Sequence, residues 1–537
     1  MRAGRIAGGA RSARGLARAV TSRGARAVAA VVTAAVLLAG CTSASQHKLP
    51  TQTSTPVASP AATDGLSGAD AAAQQKYYGQ ALVWSDCGGG FQCATAKAPL
   101  DWAHPSQGDP ISLALIRKPA TGAKQGSLFV NPGGPGVSGV DFVRNSVGAT
   151  SATLQKHFDI VGWDPRGVGK SSAVTCYDDK GLDDFLYGIT PGERGSDEWL
   201  AASKKSVSDL GQACLKNTGQ LLGHVDTATT AHDLDMLRAN VGDQKLNYLG
   251  FSYGTMIGAI YADLFPKTVG RMTLDGVVDP ASSYDELTEL QAKGFESNLR
   301  AYAQWCLGQD KSCPFSGSVD QVMNTIAGML DTVQKHPIKN SDGRMLGAST
   351  LLLAIITPLY STSNWPALDT LFKDVERGSA RVAFILADEY NDRDSNGTYT
   401  TNTAVAFQSI DCLDYTFDTD PAHMAAEAKR VAQVAPVMGP FFSYGGITCW
   451  NWPFKPVRTP APVHATGSAP ILVLGTTNDP ATPYQESVNL ANDLDNGHLV
   501  TWNGSGHTAY GRSNSCVSNT VDDYFVKGSV PASDPHC

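Results

Sequence analysis

Gly250-Phe251-Ser252-Tyr253-Gly254 sets a serine in the pattern G-x-S-x-G, where the residue type and its spacing suit a nucleophile on a sharp turn. A serine hydroxyl is a weak nucleophile at neutral pH, so acyl transfer there requires a base within reach and an acid that orients the base. In proteins with this turn the partners follow the serine along the chain, acid first and histidine second. Asp479, in Asn478-Asp479-Pro480-Ala481-Thr482-Pro483, and His507, in Gly504-Ser505-Gly506-His507, meet that order. Each lies just past an apolar run, Ile471 to Leu474 for the acid and Leu499 to Thr501 for the histidine. Asp275 is the rival acid and His498 the rival base, but His498 stands at the start of a strand candidate rather than past its end. Acyl transfer also needs N–H donors for the developing oxyanion. The run Ser127 to Val130 feeds Asn131-Pro132-Gly133-Gly134-Pro135-Gly136, and the backbone N–H groups of Gly134 and Tyr253 are the expected pair.

These side chains need a sheet to bring them to one edge. Short apolar runs ending in Gly, Pro or Asp alternate with helix-like stretches, the rhythm of an α/β protein. Strands are expected at Ile111 to Ile116, Ser127 to Val130, Phe158 to Trp163, Lys245 to Leu249, Arg271 to Leu274, Ile471 to Leu474 and His498 to Trp502. A helix is expected at Thr255 to Phe265, directly after the serine. Trp163-Asp164-Pro165-Arg166-Gly167 closes another strand, and Arg166 reads as a structural ion-pair partner. Between Tyr284 and about Lys455 the alternation stops. Helical patterns at Leu287 to Cys306 and Val322 to Val333 and a polar loop at Asn391 to Thr403 predict a mainly helical cap inserted into the sheet's sequence. No repeat of solenoid period is found.

The 537 residues carry 42 Lys+Arg and 50 Asp+Glu, a formal charge of -8. Seven arginines precede residue 27; without that segment the remainder holds 35 basic and 50 acidic residues. Such a chain lacks the clustered cations that bind nucleic acid. The Arg-rich start, the apolar run Ala27 to Leu38 and Leu38-Ala39-Gly40-Cys41 predict an export signal. Leu-Ala-Gly-Cys resembles the bacterial lipobox, which would make Cys41 a lipid anchor and hold the protein on the outer face of the cell membrane. From Thr42 to about Gln75 the composition is Ser, Thr, Pro, Ala and Gln, which predicts a flexible tether. The expected organisation is therefore signal 1–40, tether 41–75, hydrolase core 76–283, cap 284–455 and hydrolase core 456–537. Of 11 cysteines, removing Cys41 leaves ten for disulfides in an oxidising compartment. Their order suggests Cys87 with Cys93, Cys176 with Cys214, Cys306 with Cys313, Cys412 with Cys449 and Cys516 with Cys537. No metal-binding spacing competes with this, and no cofactor is implied.

Taken in order, NPGGPG, WDPRGVGKS, GFSYGT, DGVVDP (Asp275 to Pro280), NDPATP and GSGH resemble the α/β-hydrolase family of secreted actinobacterial tripeptidyl aminopeptidases, relatives of prolyl aminopeptidase. The resemblance runs from about Leu82 to Cys537 and implies an α/β-hydrolase fold and a short C-terminal segment containing Cys516 and Cys537. It implies hydrolysis of peptides from a free N-terminus, releasing a short peptide or single residue, with Ser252, His507 and Asp479 as triad. NPGGPG lacks the histidine that opens the HGGPG loop of prolyl aminopeptidases, which argues against strict prolyl specificity. An aminopeptidase must also hold a substrate ammonium with carboxylates. The cap has 20 Asp/Glu against 13 Lys/Arg, and Glu286, Glu289, Asp411 and Asp414 are the candidates. Two alternatives compete: a carboxylesterase or lipase of the same fold, and a catalytically inactive, lipid-anchored binding protein. An aspartate-nucleophile relative such as an epoxide hydrolase is disfavoured by Ser252. The sequence is silent on oligomeric state.

Overall fold

A computed structural model describes residues 48–58, 65–309 and 312–537. The expected signal, Cys41 and part of the tether lie outside the described residues.

Ten strands form one sheet: β1 (Gln52–Thr53), β2 (Val83–Asp86), β3 (Gln92–Ala98), β4 (Ile111–Lys118), β5 (Gly126–Asn131), β6 (Phe158–Trp163), β7 (Leu246–Phe251), β8 (Val269–Asp275), β11 (Ile471–Asn478) and β12 (Gly497–Ser505). The spatial order is β1-β2-β3-β4-β6-β5-β7-β8-β11-β12. From β6 to β12 every pairing is parallel, and from β1 to β6 every pairing is antiparallel. The central parallel strands are buried along nearly their whole length, β6 and β7 without an exposed residue, as strands covered by helices on both faces must be. Two apolar cores result, one around Trp163, Tyr248 and Ile257 and one around Phe158, Leu249 and Phe525. This is the α/β-hydrolase architecture that the motif order implied.

A further core belongs to the helices between β8 and β11, packed around Phe295, Leu351, Leu368 and Phe384. The strands β9 (Ile338–Lys339) and β10 (Met345–Leu346) form a small hairpin there. This core also takes in Tyr187, which ends the helix Asp179–Tyr187 and donates to Asp388 Oδ1 at 2.7 Å, while Arg393 pairs with Asp183 at 2.7 Å. A segment inserted after β6 therefore shares the cap.

The tether expectation needs correction. Gln52–Thr53 pairs with β2, and Gly68–Tyr78 is a helix whose Tyr78 hydroxyl donates to buried Asp235 at 2.9 Å. Strand pairing and hydroxyl bonds need no apolar run, so composition alone hides them. The five disulfides join the cysteines in the pairs expected from their order. Among the described residues no helix is long and apolar enough to cross a membrane.

Candidate active site

Ser252 lies between β7 and the helix Tyr253–Leu264 at φ 55° and ψ -129°, a left-handed strained conformation that turns the chain sharply. Its N–H donates to Asp275 O at 2.9 Å, which ties the turn to the neighbouring strand end. The NPGGPG loop packs directly on it. A Cβ at Gly133 would stand 2.6 Å from Phe251 O and 2.8 Å from Ser252 Cβ, so only glycine fits. The Gly134 N–H donates to none of the described residues, and Tyr253, first in its helix, has no intrahelical acceptor for its own N–H. Asp164 steadies the far end of this loop, accepting from Ser138 Oγ at 2.5 Å and Val140 N at 3.0 Å. Arg166 is fully buried and paired through two nitrogens with Asp233 at 2.8 and 2.7 Å, a structural role as expected.

Asp479 and His507 meet at the C-terminal ends of β11 and β12. His507 Nδ1 lies 2.9 Å from Asp479 Oδ1 and 3.0 Å from Oδ2. The same carboxylate accepts from the N–H groups of Ala481, Thr482 and Thr508, so four donors saturate it. Held this way the imidazole keeps its proton on Nδ1, and Nε2, buried and without a partner among the described residues, is left as the acceptor. The cap also reaches this loop: His507 N donates to Tyr360 O at 2.9 Å, and the two rings meet edge to face at 5.4 Å. Thr482 Oγ1 lies 3.3 Å from Nδ1.

Asp275, the rival acid, is placed differently. Its carboxylate accepts from Ala509 N at 2.9 Å and Tyr510 N at 2.8 Å, so it fixes the backbone that follows His507. Burial pushes its pKa up to about 6, against the opposing pull of those N–H bonds. His498 pairs with Asn496 at 3.2 Å, away from this loop.

A pocket of about 40 Å³ opens on Ser252, with Gly134 and Tyr253 on one side and Tyr284, Phe407, Asp411 and Tyr415 on the other. Of the four expected ammonium-binding carboxylates only Asp411 lines it. Its carboxylate has no hydrogen-bond partner among the described residues, and burial raises it to about 7. Asp414, one helical turn away on Thr403–Asp414, is turned inward: it accepts from the N–H and hydroxyl of Thr227, whose hydroxyl also meets Tyr253. Glu286 and Glu289 are also misplaced by the expectation. On the helix Tyr284–Leu307 the residues facing Ser252 are Tyr284, Leu287, Thr288 and Gln291, the i, i+3, i+4, i+7 stripe, and the two glutamates fall on the next face. Glu286 closes a capping box with Ser283, Glu289 pairs with Lys293 and Arg430, and both border a separate cavity. No sequence motif marks Tyr360, Thr482 or Tyr284 as site residues; of the three, Tyr284 alone carries a readable signal, the helical stripe that runs through it.

A family model described as "TAP-like protein" matches residues 435–537, and one described as "alpha/beta hydrolase fold" matches residues 126–318. Serine protease Hip1 of Mycobacterium tuberculosis is 36% identical over 484 residues, covering 86% of this chain and 91% of its own. A protein of the same organism named carboxylesterase B is 38% identical over 457 residues, covering 83% and 86%. Tripeptidyl aminopeptidase of Streptomyces coelicolor is 30% identical over 473 residues, covering 85% and 86%. Likeness of this extent along most of both chains shows that the protein is a serine hydrolase and belongs to the α/β-hydrolase family of actinobacterial tripeptidyl aminopeptidases.

Proposed function

We propose that the protein is an exported, lipid-anchored serine exopeptidase that removes a short peptide or single residue from the free N-terminus of a peptide. The observation that carries the exopeptidase reading is Asp411, a buried carboxylate in the pocket beside Ser252 with no hydrogen-bond partner among the described residues. A substrate ammonium supplies the missing partner, and Tyr284 and Tyr415 line the same pocket. Asp411 and Ser252 line the same pocket, so an ammonium held by the one fixes how far from the N-terminus the other cuts.

In the proposed mechanism Ser252 attacks the scissile carbonyl while His507 Nε2 takes its proton. Asp479 stabilises the imidazolium that forms, and the Gly134 and Tyr253 N–H groups hold the oxyanion. His507 then protonates the leaving amine, and water deacylates the enzyme by the reverse proton path. Ten disulfide-bonded cysteines support export, and the Leu-Ala-Gly-Cys sequence supports anchoring through Cys41.

The test is the ratio of kcat/KM for a peptide p-nitroanilide with a free N-terminus to that for its N-acetylated form. A ratio of at least ~10² is expected in the parent enzyme and should collapse towards 1 in Asp411→Asn, one lost charge-assisted contact in a dry site. Equal cleavage of free and blocked substrates by the parent would overturn the reading. The carboxylesterase alternative is favoured by the carboxylesterase B relative, and short acyl esters in the same assay decide it.

A further inference from the structure

The cap borders a further cavity, of about 390 Å³, that shares no lining residue with the Ser252 pocket. It lies between residues 188–194, the helix Val319–Lys335 and residues 436–441. Arg194 borders it. Nη2 of Arg194 donates to the carbonyls of Phe441 at 3.0 Å and Ser443 at 3.2 Å, and the guanidinium lies 4.7 Å from the Trp199 ring centre. Its Nε is buried without a partner, and Nη1 has none among the described residues.

The acids at the rim do not neutralise it. Asp331 pairs with Lys335 at 2.8 Å, and Glu193 is exposed to solvent without an ion pair to Arg194 among the described residues. Burial lowers Arg194 only to about 10, so it stays cationic at neutral pH. A half-buried cation served by two carbonyls and aromatic rings lacks a counter-ion among the described residues, and its free Nη1 donors suit a carboxylate. The walls beside it, Tyr187, Ile189, Leu330 and Val437, are apolar, and the volume is that of a small-molecule site.

We propose that this cavity binds an organic carboxylate with an apolar body, the carboxylate on Arg194 and the body against Trp199 and Leu330. Two sources share that chemistry: a peptide C-terminus with an apolar last residue, and a free aryl or alkyl acid. The site is independent of the proposed peptidase reaction, and it is tested by binding to a chain that lacks the nucleophile.

Full-length Ser252→Ala protein would be titrated, with tryptophan fluorescence and calorimetry as readouts, against 4-phenylbutyrate and N-acetyl-Gly-Phe and against the neutral amide of each. At least one acid should bind saturably, about tenfold or more tighter than its amide. Whichever acid binds tighter identifies the source. Arg194→Gln should bring the acid down to the affinity of the amide. Ala327→Trp, which fills the cavity from the opposite helix without touching Arg194, should abolish binding while leaving the thermal transition unchanged. Equal affinity for acid and amide, undiminished binding in either variant, or no saturation at millimolar concentrations of both acids would overturn the proposal.

Discussion

Two buried carboxylates flank the histidine loop, and replacing each by its amide should give opposite kinetic signatures. Asp479 receives four N–H donors, one of them His507 Nδ1–H. In Asp479→Asn an amide NH₂ must face at least one of these donors. The placement that disturbs the backbone least puts it against His507 and Thr508. His507 then accepts at Nδ1 and carries its proton on Nε2, where it can no longer take one from Ser252. A wrong-tautomer histidine in a serine protease costs about 10⁴ in kcat, or about 5.5 kcal/mol. Asp275 accepts from the N–H groups of Ala509 and Tyr510. Asp275→Asn forfeits one charge-assisted bond, about 1.5–3 kcal/mol. It also removes a carboxylate whose pKa of about 6, against an ordinary 3.8, makes the charged form cost on the order of 3 kcal/mol at pH 7. Because that pKa is already net of the two N–H bonds, the figures overlap rather than add: Asp275→Asn should keep or raise its thermal midpoint and, with Asp479 and His507 untouched, lose tenfold or less in kcat. The sign of the linkage gives an independent check. Because folding raises this pKa, the parent loses stability between about pH 4 and pH 6 as pH rises, and that component of the slope should vanish in Asp275→Asn. The assay is p-nitrophenyl acetate turnover with circular dichroism melts. If Asp275→Asn lost 10³-fold while Asp479→Asn stayed within tenfold of the parent, the acid would be Asp275 and the reasoning would be refuted.

Asp411 must be ionised to hold an ammonium, so kcat/KM on a free-amine substrate should fall as pH drops through about 7. On a logarithmic plot that limb should be steeper than the limb for an acetyl ester, and the difference should disappear in Asp411→Asn. Gly133→Ala should cut ester turnover at least ~10²-fold, because the added methyl displaces the loop from Ser252; a variant with full turnover would contradict the packing at 2.8 Å. Arg166→Ala leaves Asp233 charged in a dry site and should lower unfolding free energy by about 3–5 kcal/mol in urea titrations, with no change if the pair were idle.

What could be read from the sequence follows from how each residue is positioned. Ser252, Asp479 and His507 each sit just past an apolar strand and inside a glycine- or proline-marked turn, so strand ends announced them. β3, with Ala94, Ala96 and Ala98 on its buried face, has too little bulk to register as a strand even though its alternation is regular. Charge and position in the cap single out the ammonium candidates, and charge does not say which way a helix faces. One turn separates Asp411 in the pocket from Asp414 bonded to Thr227. Tyr187 joins the cap core from a segment before β7, a long-range contact that no local pattern encodes.

The NPGGPG loop also touches the cap. A Cβ at Gly136 would lie 2.9 Å from Thr403 O and 3.0 Å from Ala406 Cβ, so the loop that carries Gly134 and the helix that carries Asp411 are in contact with no slack between them. Substrate range and turnover are therefore coupled in inheritance. A substitution that shifts that helix to admit a different amino end also drags the oxyanion donor off its target, and selection for a new substrate pays in rate. Divergence of preference should instead accumulate at Tyr284 and Leu287, which border the same pocket from another helix, whereas Gln291 on that stripe donates to Ala481 O at 2.9 Å and is tied to the loop of Asp479.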